Sequence, residues 1–161
     1  MTIRPAGPED ANAIWEILEP TIRAGETYTL PRDMEREKAL AYWFSAEHTV
    51  FVAEEDGEIL GTYYLRVNQK GGGAHVCNCG YMTAVRASGR GVAGAMCEHS
   101  LEYARAQGFR AMQYNFVVSS NEAALHLWQK FGFATVGQLP GAFLHPRLGY
   151  VDALVLYRAL S

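Results

Sequence analysis

A run of glycines between two different sequence periodicities constrains this chain more than any other feature. Residues 75–83 read as a strand, and Ser88-Gly89-Arg90-Gly91-Val92-Ala93-Gly94 follows. Beyond it Ala93, Cys97, Leu101 and Ala104 recur as one apolar stripe, which predicts a helix with Gly108 as its C-cap. A glycine-rich turn at a helix N-terminus presents several backbone N–H groups, and the helix dipole adds positive potential. Such a turn suits a pyrophosphate, and Arg86 or Arg90 would add a charged contact. The same turn also serves, with nothing bound, as a tight strand-to-helix connection.

Gly89 to Gly94 matches G-x-G-x-x-G literally, which invites a nicotinamide-dinucleotide reading. That fingerprint needs an acidic residue about 20 positions on to hold the ribose. The stretch in question here is Gln113-Tyr114-Asn115-Phe116, with no carboxylate. A nucleotide P-loop fails as well, because no Gly-Lys-Ser/Thr ends the run.

The remaining elements follow from period and punctuation. Ile3 begins a short strand. A helix with Ile14, Ile17 and Leu18 on one face is expected to close at Pro20. Thr21 to Pro31 reads as a loop, and Asp33 is the expected N-cap of a second helix with Leu40, Trp43 and Phe44 inward. Two strand candidates, residues 49–53 and 59–67, flank Asp56-Gly57, a strong hairpin signal. Asn68 to Gly73, with three consecutive glycines, is a loop. Met112 to Val118 predicts a strand. Ser119 and Glu122 are spaced as a capping box for a helix that buries Ala124, Leu127, Trp128 and Phe131 and stops at Gly132. Residues 135–139 and 151–157 are the last strands. The order β-α-α-β-β-β-α-β-α-β-β is an α/β (α+β) arrangement with a mixed sheet, and 161 residues fit one domain spanning 1–161.

Composition excludes several classes. Hydrophobic residues make up 49% of the chain and charged ones 19%, the balance of a globular protein with a sizeable core. A net charge of −3 argues against nucleic acid, which calls for a basic patch. No apolar run reaches the ~18 residues of a membrane span, and the start MTIRPAGPED is too polar for a secretory signal. The expectation is a cytoplasmic protein with no membrane or nucleic-acid partner. Cys77, Cys79 and Cys97 do not describe a disulfide framework. Cys77 and Cys79 share one strand face with His75, but C-x-C lacks the usual zinc spacing, so no metal is expected.

Two motifs carry a family resemblance. Tyr81-Met82-Thr83 followed by Ser88-Gly89-Arg90-Gly91-Val92-Ala93 resembles the main acetyl-CoA motif of the GNAT superfamily of N-acetyltransferases: Arg or Gln, two residues, Gly, one residue, Gly or Ala. Asn115, Asn121, Ala124 and the string Leu127 to Phe133 resemble that superfamily's second motif. The resemblance implies the GNAT acyltransferase fold, with acetyl-CoA as co-substrate. By it, Met82 and Thr83 would offer backbone groups to the pantetheine arm where the fourth and fifth strands splay. In the cofactor loop that begins at Ser88, the amides of Gly89, Arg90, Gly91, Val92 and Ala93 would hold the pyrophosphate. Asn121, three residues before Ala124, would hydrogen-bond the pantetheine. Two departures stand out. Ser88 takes the place of the motif's Arg or Gln, with Arg86 the nearest cation. Trp128 takes the place of the Tyr that protonates the leaving thiolate in many members, and an indole N–H only donates. Tyr114 and Tyr150 are the other candidates for that acid. Asn78, Asn115 and Asn121, with Pro140-Gly141-Ala142-Phe143 and Val151-Asp152-Ala153, resemble a subgroup that includes the fungal proline-analogue acetyltransferases. Those act on small cyclic imino acids such as azetidine-2-carboxylate, with the matching asparagines serving the cofactor and the substrate carboxylate.

Amine acetylation needs a neutral amine near the thioester, a donor for the developing oxyanion and a path for the proton. The backbone N–H near Met82 or Thr83 is the candidate donor. Asn115 and Asn78, polar amides inside strands, either serve the reaction or satisfy local backbone. Glu26 and His75 are candidate bases, His145 and Asp152 flank the last strand, and water relay is the alternative to a direct base. Tyr28, with Glu26, is expected at the substrate pocket; a loop Tyr is otherwise a packing anchor. The reading is an N-acetyltransferase acting on a small amino or imino acid. The alternatives are a peptide or protein amine as acceptor, or a non-catalytic acyl-CoA sensor. The C-terminal strands offer an edge for a homodimer.

Overall fold

In the computed structural model, which describes residues 1–160, seven strands form one mixed sheet in the order β1-β2-β3-β4-β5-β7-β6. The strands are β1 (Thr2–Pro5), β2 (Thr49–Glu55), β3 (Glu58–Val67), β4 (Val76–Thr83), β5 (Ala111–Val118), β6 (Ala134–His145) and β7 (Gly149–Ala159). The helices are α1 (Ala11–Ala24), α2 (Arg36–Trp43), α3 (Val92–Ala106) and α4 (Glu122–Lys130). This is the expected order. β1 to β4 run antiparallel to one another, and the β2–β3 hairpin turns at Asp56 and Gly57, both at positive φ as a two-residue turn demands.

Local details depart from the sequence expectations. Pro20 does not close α1: the apolar face continues past it to buried Ile22, and the helix stops at Gly25 (φ 65), whose N–H reaches Thr21 O at 3.3 Å. α2 begins at Arg36 instead of just after Asp33, and it buries Ala39 and Trp43 fully, with Leu40 and Phe44 half-buried. Ser119 does not cap α4; Asn121 does, its side-chain oxygen accepting from Ala124 N at 3.4 Å. On α4 only Trp128 is buried outright, and Ala124, Leu127 and Phe131 are half-buried. The ends of α3 and α4 are as expected. Phe109 N bonds Ala104 O and Phe133 N bonds Trp128 O, both at 3.0 Å, around Gly108 and Gly132. β6 and β7 are longer than their cores suggested. β6 is one of the two sheet edges, opposite β1, and leaves Val136 and Leu144 exposed.

Alternation along β3 sorts the helices onto opposite faces. Thr62 and Tyr64 face α2: Trp43 Nε1 donates to Thr62 Oγ1 at 3.0 Å, and the Tyr42 and Tyr64 hydroxyls lie 2.9 Å apart. Tyr63 faces α3, with its hydroxyl 2.7 Å from His99 Nδ1. α3 comes close enough to the sheet that a Cβ at Gly61 would lie 2.7 Å from Val92. No helix among the described residues is long and apolar enough to cross a membrane.

Candidate active site

Parallel pairing between β4 and β5 is confined to Val76↔Ala111 and Cys77↔Met112. Beyond those pairs the strands part, and Asn78 bridges the fork by donating from Nδ2 to Gln113 O at 2.8 Å. The polar groups exposed in this gap follow from the β3–β4 register. Asn68 N bonds Val76 O at one end of the ladder and Ala84 N bonds Leu60 O at the other. Antiparallel alternation then commits residues 78, 80 and 82 to β3 and turns the N–H and C=O of Cys79, Tyr81 and Thr83 toward β5. Of the two residues expected to offer backbone groups, Thr83 does so and Met82 does not. Met82's amide belongs to the ladder with Thr62, and only its side chain lines the site.

The gap opens into a cavity of about 760 Å³. One end reaches the start of α3, where Ala93 lines it. Gly89 (φ 79) and Gly91 (φ 80) both sit in left-handed backbone, and a Cβ on either would meet nothing within 4 Å. The first turn of α3 leaves the amides of Val92, Ala93 and Gly94 without intrahelical acceptors; the first bond back into the turn is Ala95 N to Gly91 O at 3.0 Å. An open, amide-lined concavity at a helix start has the chemistry of a pyrophosphate site. Arg90 and Arg86 are tied to the β2–β3 hairpin instead: Arg90 Nη2 lies 2.8 Å from Glu55, and Arg86 Nη2 donates to Ile59 O at 3.2 Å. Ser88 is exposed, with its N–H bonded to Val85 O. The cradle is therefore one of backbone groups.

The other end lies against α2, the loop after α1 and the bulged part of β5. Tyr28 comes from that loop, and its hydroxyl donates to Tyr81 O at 2.8 Å, closing one of the carbonyls that face the gap. A Cβ on Gly80 would sit 2.4 Å from the Tyr64 ring, so only glycine lets that ring lie across β4. Asn115 and Phe116 fall in a register shift between β5 and β7, which frees Asn115 from the ladder. Its Nδ2 donates to Asn68 Oδ1 at 2.7 Å and its Oδ1 accepts from Gln113 Nε2 at 2.9 Å. Asn68, Asn78, Asn115 and Asn121 all line the cavity, and no Asp or Glu does.

The candidate acids and bases fall differently. Glu26 is not part of the cavity wall: its carboxylate lies 3.1 Å from Arg147 and 4.0 Å from His145 Nε2, which joins the loop after α1 to the β6–β7 hairpin. His145 is buried, and its Nδ1 accepts from the amides of Arg147 and Leu148, which leaves the ring proton on Nε2 toward Glu26. His75 and Tyr150 are exposed and outside the cavity. Asp152 accepts from Gly141 N and from Gln138, which holds its carboxyl below the usual range, and it too is outside. Tyr114 does line the cavity. Burial pushes its phenol well up; its hydroxyl meets Tyr81 at 2.9 Å, and Tyr81 meets Ser100 at 2.7 Å, so this chain runs into α3. Trp128 packs against both rings, with centroids 5.0 Å away. Cys77, Cys79 and Cys97 are buried free thiols, and no group of His, Cys, Asp or Glu among the described residues could hold a metal ion.

A family model described as Acetyltransferase (GNAT) family matches residues 11–133. This chain belongs to the GNAT acetyltransferase family. It is similar to the structure of a GCN5-related N-acetyltransferase from Kribbella flavida, with a TM-score of 0.94 and 38% identity over 98% of this chain and 96% of that one. The N-acetyltransferase aca1 of Schizosaccharomyces pombe is 25% identical over 83% of this chain and 72% of its own length. A mycothiol acetyltransferase of Streptomyces avermitilis is 31% identical over 84% of this chain, which spans only 43% of that protein.

Sequence reasoning missed Arg66, Asn68, Tyr42, Tyr64 and Gly80, all of which line the cavity. Gly80 inside a strand pattern was the readable signal, since it marks a close approach.

Proposed function

We propose that the chain transfers the acetyl group of acetyl-CoA directly to the amine of a small amino- or imino-acid-like substrate. The observation that carries this reading is the cavity: it runs from the amide cradle at α3 to a pocket of asparagines, threonines and tyrosines that contains no carboxylate. Acetyl-CoA supplies an activated acetyl thioester. The amides of Val92, Ala93 and Gly94 bind its pyrophosphate, and the N–H of Tyr81, whose carbonyl Tyr28 already occupies, pairs with the pantetheine arm together with the backbone groups of Thr83. Asn121 spends its Oδ1 on capping α4 and keeps Nδ2 to donate to the arm. The free N–H on β4 at the fork donates to the thioester oxygen as charge develops there.

Tyr28, Tyr64, Tyr81 and Tyr114 are held protonated by burial, so they act as hydrogen-bond partners and not as bases. The acceptor amine enters neutral and its proton leaves through water. The test is release of free CoA from acetyl-CoA with an amine panel: azetidine-2-carboxylate, proline, other free amino acids, and peptide N-termini. Turnover highest with a free amino or imino acid is expected, rising with pH as the amine deprotonates. Turnover only on peptides would move the acceptor class to proteins. Tight acetyl-CoA binding with no turnover would make the chain a sensor.

A further inference from the structure

We infer that Arg66 and Asn68, at the end of β3, form the subsite for the acceptor's carboxylate. The inference rests on the transferase reading above and names the group that selects its substrate. Arg66 is the one cation among the described residues lining the cavity; no carboxylate lines it, and the ion-pair partner of Arg66, Glu47, lies outside the lining. Its guanidinium is fixed from one side: Nη2 donates to Glu47 Oε2 at 2.7 Å and Nε to Val67 O at 3.4 Å. Among the described residues nothing accepts from its Nη1.

Asn68 supplies a second donor. Gln113 Nε2 donates to Asn115 Oδ1, and Asn115 Nδ2 donates in turn to Asn68 Oδ1. This relay fixes the orientation of the Asn68 amide and leaves its Nδ2 without an acceptor among the described residues. A guanidinium edge beside an amide N–H₂ is a charge-assisted pair of donors matched to two carboxylate oxygens. Asn78 is the cross-strand partner of Arg66, and Tyr81, whose N–H opens into the gap, lies three residues further along β4. That is about 10 Å of strand, and Arg66, Asn68 and Tyr81 line the same cavity. A free amino acid satisfies both ends at once. A peptide N-terminus has an amide where the carboxylate belongs, and a diamine would bring like charge to Arg66.

The test pairs acids with their neutral amides. Binding of proline and prolinamide is measured by calorimetry on the chain saturated with CoA, and turnover is measured with azetidine-2-carboxylate and its carboxamide. Wild type is expected to prefer the acid in both. Arg66→Met should raise the acid's Kd and KM by about 10–100-fold, the effect of losing a charged hydrogen bond, while leaving the amide and the KM for acetyl-CoA unchanged. Arg66→Lys should restore part of the preference. Glu47→Gln separates charge from structure: it removes the ion pair but keeps the cation, so the acid preference should persist. An acid-to-amide ratio that Arg66→Met does not move overturns the subsite, and so does wild type that binds neither acid. Acid binding lost in Arg66→Met, with no turnover on any amine, would keep the subsite and sink the transferase reading. Turnover on amines without acid preference would do the reverse.

Discussion

The two ends of the cavity are built from different materials. At the cofactor end, between the start of α3 and the open edge of β4, the polar groups are backbone amides exposed by two glycines and by a fork in the sheet. At the acceptor end they are side chains from the loop after α1, α2, β3 and β5. A backbone cradle is specified by a few adjacent residues and recognises a phosphate that does not vary. A side-chain pocket needs distant segments to agree on register, and any of them can change the substrate without disturbing the cradle. On this picture substitutions at one end should leave the other end's affinity alone.

The strongest test of that separation is Gly91→Val. A β-branched residue at φ 80 carries strain of about 1–2 kcal/mol and pushes a side chain into the cradle. Acetyl-CoA affinity by calorimetry should fall about 100-fold, the equivalent of one or two charge-assisted hydrogen bonds. Gly108→Val is the control: Gly108 has φ 88 and equally open surroundings, but it ends α3 far from the cavity. It should show the same strain in a melt and full affinity. Equal affinity losses in both variants would mean that the cradle effect is only general destabilisation.

The same contrast decides what could be read from sequence. The glycine turn is legible because Ser88 to Gly94 is contiguous, and glycine readily takes the left-handed backbone found at Gly89 and Gly91. The order of elements was legible from period and turn residues, with errors at Pro20, Asp33 and Ser119, where tertiary burial or a better-placed cap overrode a local signal. Asn115 stands out in the sequence as a polar residue in an apolar strand, but its bulge and its relay to Asn68 depend on β7 and β3. Arg66 gave no local sign, because an arginine near a strand end is ordinarily a solvated charge. The loop position of Glu26 points it at the pocket; Arg147, 121 residues away, holds it elsewhere. Which of Met82 and Thr83 opens its backbone into the gap turns on the register with β3, which no single segment encodes.

Tyr28→Phe sharpens the comparison from the acceptor end. The variant removes one hydrogen bond, to Tyr81 O, and keeps the ring between Trp43 and the cavity. A single neutral bond is worth roughly 0.5–1.5 kcal/mol, so kcat/KM for the amine should fall about 3–10-fold. Acetyl-CoA affinity should stay within a factor of about two. A parallel loss of both would show that Tyr81 O serves the pantetheine as well, and that the two ends share a group.

The smallest expected effect comes from His48, behind the acceptor wall. Its ring stacks on Tyr64 at 4.0 Å, its Nδ1 lies 3.0 Å from Trp43 O, and its buried Nε2 has no partner. Burial, helped by the charge of Arg66 and opposed by the Trp43 carbonyl and Glu47, holds its pKa below the ordinary histidine value. The folded chain therefore keeps His48 neutral at a pH where the unfolded chain has begun to take up the proton. The stability this represents is complete above about pH 6.5, the unfolded value, and is lost as pH falls from there through the folded pKa. His99, also lowered by burial, acts in the same direction from the α3 side, so the wild-type melt alone does not isolate His48. His48→Phe keeps an aromatic ring against Tyr64 and removes the titration. Between pH 7 and 5 the melting temperature of that variant should fall less than that of wild type, by roughly 1–2 °C for a chain of this size. Equal falls would mean that Nε2 reaches water in solution, and that the wall behind Tyr64 is more open than the Tyr42–Tyr64–His48 packing implies.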